Sequence, residues 1–322
     1  MKVVILDDWE GFYSNHPQVE RLRSHFEVEV YNDQPTKTIL IERIRHADVI
    51  IPIRERTKFT KDILQQLQHI KLIAQTGAGL AHIDMDEAIK LHIPVSTTPG
   101  GSAAVVELIF GMMINLSRKL LPLHQDLKNR IWQESVGLSL ENKTVGIIGL
   151  GKIGSGVANI AKAFNMNVVA WGPRLTEERA SAQGVTYTSL EELLQRSHFI
   201  VIAVRLVPET KLLLTEHHFN LMRKDAFLIN TSRGEILDET ALIKALSTDK
   251  IAGAGLDVFT EEPINEDNPL LTLDNVLLSP HIGWKTDNMF NQFLTTAADN
   301  ILAFFIDKNP TRIVNPDVLS VQ

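Results

Sequence analysis

Short apolar runs alternate with stretches of helical periodicity along most of this chain. In the first third, runs at 3–6, 28–31, 49–53, 72–75 and 95–96 read as strands, and 17–25, 38–46, 61–68 and 85–91 read as helices. A second series starts at Thr144. It has strands at 144–149, 167–171, 199–204, 226–230, 253–258 and 276–278, and helices near 155–164, 175–183, 190–196, 215–222 and 239–246. Strands that alternate with helices predict parallel sheets covered on both faces, because a parallel connection needs a crossover long enough to hold a helix. The second series suffices for a Rossmann unit of about six or seven strands.

Between the two series lie the turn Pro99-Gly100-Gly101 and a long apolar helix that starts near Ser102 and runs through 105–121. A last helix, 288–305, and a short tail follow the second series. We read that ending as a return to the first unit. The chain then forms two doubly wound α/β domains with parallel sheets. A Rossmann cofactor domain, 100–284, is inserted in a discontinuous flavodoxin-like substrate domain made of 1–99 and 285–322. Two crossings, near 99 and 285, imply a hinge, and ligands often bind in clefts between domains.

Composition narrows the function classes. A length of 322 residues suits about two domains, and 44% hydrophobic with 22% charged residues supports sizeable cores. The net charge of −7 gives no electrostatic case for nucleic acid or an anionic membrane. The absence of cysteine excludes disulfides, thiolate metal sites and a cysteine nucleophile. The apolar run after Met1 is too short for a signal peptide. The 105–121 helix contains Glu107, Asn115, Arg118 and Lys119, which suits a buried amphipathic helix rather than a membrane span. The expectation is a metal-free, soluble cytoplasmic protein.

The strand at 144–149 runs into Gly149-Leu150-Gly151-Lys152-Ile153-Gly154, and a helix follows. Strand, glycine turn and helix form the context in which G-x-G-x-x-G signals dinucleotide binding. The first glycine permits the turn, the second admits a pyrophosphate and the third lets helix and strand pack. Free N–H groups at the helix start, from Lys152 and Ile153 onward, face the anion.

Further along stand Asn230-Thr231-Ser232-Arg233-Gly234, Gly255-Leu256-Asp257-Val258-Phe259, Glu262-Pro263 and Ser279-Pro280-His281-Ile282-Gly283. In this order they resemble the D-isomer-specific 2-hydroxyacid dehydrogenases, over nearly the whole chain. The segments 54–60 and Thr76-Gly77-Ala78-Gly79 look like that family's substrate-domain signatures, and Glu107 after Ser102 looks like the start of its long interdomain helix. The resemblance implies hydride exchange between a nicotinamide cofactor and a small 2-oxo or D-2-hydroxy acid. Within the family a glyoxylate- or hydroxypyruvate-type reductase suits the chain best. Phosphoglycerate- or D-lactate-type dehydrogenases and a non-catalytic, dinucleotide-sensing corepressor are the alternatives. The chain ends at Gln322 with no further regulatory domain, which weakens the phosphoglycerate alternative.

Hydride transfer to a 2-oxo acid needs a cation for the carboxylate and an acid for the oxygen. Arg233, just past a strand end, suits the first, because a guanidinium grips a carboxylate with two parallel hydrogen bonds. Among eleven histidines, His281 suits the second by its motif and its place after a strand. His82, His217 and His218 read as structural or exposed. Glu262 matches the family's partner of the histidine, whose charge stabilises the imidazolium and fixes its tautomer. The resemblance puts Asp257 near the nicotinamide carboxamide, with a turn cap as the other reading, and assigns Thr210, Thr231, Ser232 and Gly283 to the cofactor site. The N–H groups of Ala78 and Gly79 resemble the family's substrate-carboxylate cradle.

Gly172 stands where an NAD-preferring Rossmann site usually carries an acid, and Arg174 follows. Loss of the acid removes repulsion of a 2′-phosphate, and Arg174, with Arg205, suits holding one. The expected cofactor is NADP or NAD, with the balance toward NADP; the plainer reading is that Arg174 starts a solvated helix. Arg54 and Arg56 either meet a polar substrate tail or form a solvated strand end with Glu55. The apolar 105–121 helix suggests a homodimer interface, the alternative being an internal core helix.

Overall fold

The computed structural model describes every residue except Gln68 and Gln322. The last residue of the helix expected at 61–68 and the last residue of the chain therefore lie outside the described residues. The chain divides into two compact units, one of residues 1–100 and 286–322, the other of residues 101–285.

The first unit holds a five-stranded parallel sheet of β1 (Lys2–Ile5), β2 (Glu27–Val30), β3 (Val49–Ile51), β4 (Leu72–Gln75) and β5 (Val95–Thr97), ordered β2-β1-β3-β4-β5. Val3, Val4, Ile5, Val49, Ile50 and Ile51 are fully buried, as strands covered by helices on both faces require. The strand order reverses between β1 and β3, which places the loops after these strands at a topological switch point. The loop after β1 is pinned by the buried Asp8, whose carboxylate accepts the N–H groups of Phe12 and Tyr13, both at 2.9 Å. The helix Asp287–Phe305 belongs to this unit, and its Phe290 carbonyl accepts the buried Tyr13 hydroxyl at 3.2 Å.

The second unit holds a seven-stranded parallel sheet of β6 (Thr144–Ile148), β7 (Asn167–Trp171), β8 (Thr186–Tyr187), β9 (Phe199–Ile202), β10 (Phe227–Asn230), β11 (Gly253–Leu256) and β12 (Val276–Leu278). Its order is β12-β11-β10-β9-β6-β7-β8. β8 is absent from the sequence expectation: two exposed residues at the sheet edge carry no alternation to read. The switch point lies between β6 and β9, at the start of the glycine turn.

The helix expected at 105–121 ends at Arg118. Lys119 takes a left-handed φ of +51°, and a separate helix, Leu120–Lys128, follows. The Ala103–Arg118 helix buries Ala104, Val106, Ile109, Phe110, Met112 and Met113 within its own unit. That face serves the core of its own unit. The unsatisfied apolar surface begins one turn later, with Leu120, Leu121, Leu127, Ile131, Trp132 and Val136 all exposed. Among the described residues no helix is long and apolar enough to cross a membrane.

Candidate active site

The three motif glycines meet different surroundings. Gly149 has φ +102°, and a Cβ there would lie 2.8 Å from the Ala203 carbonyl oxygen. A Cβ at Gly154 would lie 2.0 Å from the Gly149 carbonyl oxygen, so the helix Lys152–Ala163 can close on its strand only over a bare α-carbon. A Cβ at Gly151 would meet nothing within 4 Å. Gly151 is also the N-cap of that helix, which has no side-chain cap. The first and third glycines are thus required by packing within the protein. The second leaves open space in front of uncapped N–H groups, which fits the pyrophosphate of a dinucleotide.

At the end of β7, Gly172 packs against Gly149, with its would-be Cβ 3.6 Å from the Gly149 α-carbon. No carboxylate stands at this position, and Arg174 is exposed. The helix expected at 175–183 is only Glu177–Ser181, and Thr176 sets its start by accepting the Arg179 N–H. Arg179, in the middle of that helix, donates from Nη1 to the Arg174 carbonyl at 2.7 Å, which draws its guanidinium to the loop after β7. The sequence did not single out Arg179, because spacing alone gives no sign of this contact. Arg205 is exposed as well. Thr210 is buried, and its hydroxyl donates to the Arg205 carbonyl at 2.6 Å and accepts the Val207 N–H at 2.9 Å. The hydroxyl that the sequence offered to a cofactor is therefore committed to holding its own loop.

The loop after β10 carries Thr231, Ser232 and Arg233. Ser232 Oγ donates to the Ile202 carbonyl at 2.9 Å, tying this loop to the end of β9. Thr231 Oγ1 is buried with no hydrogen-bond partner among the described residues, an orphaned polar atom at the carboxyl edge of the sheet. Arg233 is exposed, with Nη1 donating to the Ser232 carbonyl at 2.6 Å. A Cβ on Gly234 would lie 2.0 Å from the Phe259 carbonyl carbon. This contact brings the Arg233 loop against the segment that leads to Glu262.

Glu262 Oε2 lies 2.7 Å from His281 Nδ1, and its Oε1 accepts the Phe259 N–H at 3.0 Å. Burial pushes this carboxyl up, but the His281 hydrogen bond, the Phe259 N–H and the charges of His281 and Arg233 outweigh it and hold it below the ordinary carboxylate range. With Nδ1 engaged, Nε2 is the ring nitrogen left for chemistry. His281 has φ +52°, a left-handed conformation that histidine tolerates better than most residues.

Asp257 explains how that loop is held. Its Oδ1 accepts Ser279 Oγ at 2.5 Å and the Ile282 N–H at 2.8 Å, and its Oδ2 accepts the Gly283 N–H at 2.7 Å. The carboxylate, 1% exposed, clamps both sides of His281. This is the turn-capping role that the sequence allowed as the alternative to a cofactor contact, and it commits the Gly283 N–H to the clamp.

In the first unit, the turn after β4 is similarly organised. Gly77 has φ +88°, and its N–H donates to Thr98 Oγ1 at 2.6 Å. Among the described residues the N–H groups of Ala78 and Gly79 donate no hydrogen bond. The two arginines at 54 and 56 separate in role. Arg56 makes two hydrogen bonds to Glu10, at 2.7 and 2.8 Å, and stacks 4.4 Å from the Trp9 ring, so it is part of the fold rather than a solvated strand end. Arg54 reaches the turn: its Nη1 lies 2.0 Å from where a Gly77 Cβ would stand. Buried His82 pairs through Nε2 with Gln75 Oε1 at 3.1 Å, a structural role.

The D-isomer specific 2-hydroxyacid dehydrogenase NAD binding domain matches residues 110–283. The chain is 35% identical over 314 residues to a glyoxylate reductase of Thermococcus litoralis, with 94% of each covered. It is 38% identical over 293 residues to a D-3-phosphoglycerate dehydrogenase of Methanocaldococcus jannaschii, covering 90% of this chain and 55% of that protein. Its fold matches the crystal structure of a phosphoglycerate oxidoreductase from Vibrio cholerae with a TM-score of 0.85 and 31% identity, covering 94% of this chain and 98% of that one. By the match over 110–283 and the identity to these relatives along most of its length, the chain belongs to the D-isomer-specific 2-hydroxyacid dehydrogenases, oxidoreductases that use a nicotinamide dinucleotide.

Proposed function

We propose that this protein reduces a small 2-oxo acid to its D-2-hydroxy acid, as a glyoxylate- or hydroxypyruvate-type reductase. The observation that carries the reading is the 2.7 Å contact between Glu262 and His281 beside the Arg233 loop. When bound, the nicotinamide supplies the hydride for the substrate's C2. Arg233 grips the carboxylate and polarises the carbonyl. His281, protonated on Nε2, gives its proton to the carbonyl oxygen as that oxygen gains charge. Glu262 orients the ring and offsets the positive charge on it. The N–H groups of Ala78 and Gly79 receive the substrate carboxylate. Gly151, Lys152 and Ile153 hold the pyrophosphate, with Thr231 and Ser232 at the neighbouring strand ends.

For the cofactor we favour NADP. Support comes from the missing acid at Gly172 and from Arg174 on the following loop with Arg179 reaching its carbonyl from the next helix, where a 2′-phosphate would find two guanidinium groups and no acid at the strand end. We also propose a homodimer. Its support is the exposed apolar segment after the Ala103–Arg118 helix, in which Trp132 is 81% and Val136 100% exposed.

Loss of NADPH or NADH absorbance with a panel of short 2-oxo acids tests the reading. Turnover of glyoxylate or hydroxypyruvate is the expected result. Cofactor binding with no turnover of any acid in the panel would overturn it and favour a dinucleotide-sensing protein.

A further inference from the structure

The turn Gly77-Ala78-Gly79 carries two charged side chains on its glycines. A Cβ on Gly77 would lie 2.0 Å from Arg54 Nη1, and a Cβ on Gly79 would lie 2.1 Å from Glu55 Oε1. The side chains also meet each other, with Arg54 Nε 3.3 Å from Glu55 Oε2. The turn is thus covered by an ion pair whose carboxylate lies against the α-carbon of Gly79. Gly77 spends its N–H on Thr98, so Ala78 and Gly79 hold the N–H groups that remain for an anion. A carboxylate already stands beside them, and it belongs to the protein.

We propose that Glu55 is an internal competitor for the substrate carboxylate: with Arg54 as its counterion it occupies the Ala78–Gly79 turn, and a 2-oxo acid binds by displacing it. The inference rests on the reading of this turn as the carboxylate cradle. Three physical points support it. The bare α-carbons of Gly77 and Gly79 leave the space that these two side chains fill. Glu55 accepts neither N–H but lies against the Gly79 α-carbon beside them, so a substrate carboxylate on that pair would stand against a like charge, and the two exclude each other. Arg54, 18% exposed at its side chain, lies beside the turn and suits either partner. Displacement requires only rotation of an exposed side chain, so the competition sets affinity without rebuilding the fold.

The consequence is quantitative. Apparent affinity falls by the fraction of time the turn is open, so a turn open for about a tenth to a third of the time costs about three- to tenfold in binding. The probe is oxamate, a carboxylate that resembles a short 2-oxo acid and is not reduced, titrated into the complex of the full chain with its reduced dinucleotide. Glu55→Ala is expected to bind oxamate about three- to tenfold more tightly than the parent. Glu55→Gln keeps a neutral acceptor and is expected to fall between the two. Equal or weaker binding by both variants, with binding lost in Arg233→Gln, would overturn the competitor and leave the proposed substrate site standing. If neither the Glu55 variants nor Arg233→Gln alter oxamate affinity, the substrate site itself is misassigned and the inference falls with it. The order Ala, Gln, Glu in affinity is the signature that a merely structural role of Glu55 would not produce.

Discussion

Glu262 bonds His281 through one carboxylate oxygen and the Phe259 amide through the other, so a single side chain fixes the imidazole to the backbone of its own loop. Glu262→Gln removes the carboxylate charge while keeping the shape. The kcat/KM for 2-oxo-acid reduction is expected to fall by about ten- to a hundredfold while dinucleotide affinity stays near that of the parent. An unchanged kcat/KM in a folded variant would remove Glu262 from this role. The sign for stability is separate. A carboxyl held below its unfolded value stabilises the fold above the ordinary carboxylate range and loses that contribution as pH falls through its folded value. Acid unfolding of the variant is therefore expected to depend less on pH as it falls below the ordinary carboxylate range.

The contact of Gly234 with the Phe259–Thr260 backbone makes the Arg233 loop intolerant of any side chain there. A methyl group would meet the Phe259 carbonyl carbon and oxygen at 2.0 and 2.2 Å, atoms that cannot rotate away. Gly234→Ala is expected to cost about 2–4 kcal/mol in urea unfolding and to lower kcat/KM by displacing Arg233. A stability loss under about 0.5 kcal/mol would show that the two loops yield.

Asp257 supplies acceptors to three donors of the 279–283 loop from a buried position. Asp257→Ala leaves those donors unpaired, at an expected cost of about 2–4 kcal/mol. Hydrogen exchange at Ile282 and Gly283 reads the clamp directly. Fast exchange in the variant against slow exchange in the parent is the expected outcome, and equal rates would exclude the clamp.

The glycine turn offers a paired test. Gly151→Ala adds a methyl group to open space, so its thermal midpoint should stay near that of the parent while its dinucleotide affinity falls at least about tenfold. Gly154→Ala forces the helix off its strand and should lose stability as well, by about 2 kcal/mol or more. Normal dinucleotide binding by a stable Gly151→Ala protein would show that the pyrophosphate lies elsewhere.

The exposed apolar segment 120–136 predicts a self-association surface. Leu127→Glu with Ile131→Glu places two charges on it, and a halved mass in light scattering is the expected outcome. A parent that is already monomeric would refute the dimer.

The sequence by itself determined the two parallel sheets, because strands buried on both faces must be continuously apolar and their crossovers must be long. It also marked the motif residues, since Gly149 to Gly154, Arg233, Glu262 and His281 stand in recognisable order at strand ends. What it could not determine was how those residues divide their work. Local pattern does not show that Gly151 faces open space while Gly154 faces a carbonyl oxygen, because the difference depends on atoms of other elements. Nor does it show that Thr210 and Asp257 spend their polar atoms on their own loops, or that Arg56 belongs to Glu10 and Trp9 while Arg54 lies on a glycine turn. Hydrogen-bond partners 46 residues apart in the chain, such as Arg56 and Glu10, leave no periodic trace. The Lys119 break in the long apolar helix was equally hidden, because apolar residues continue on both sides of it. Burial is written in the order of residues along the chain; the pairing of polar atoms is decided only when the folded chain brings their loops together.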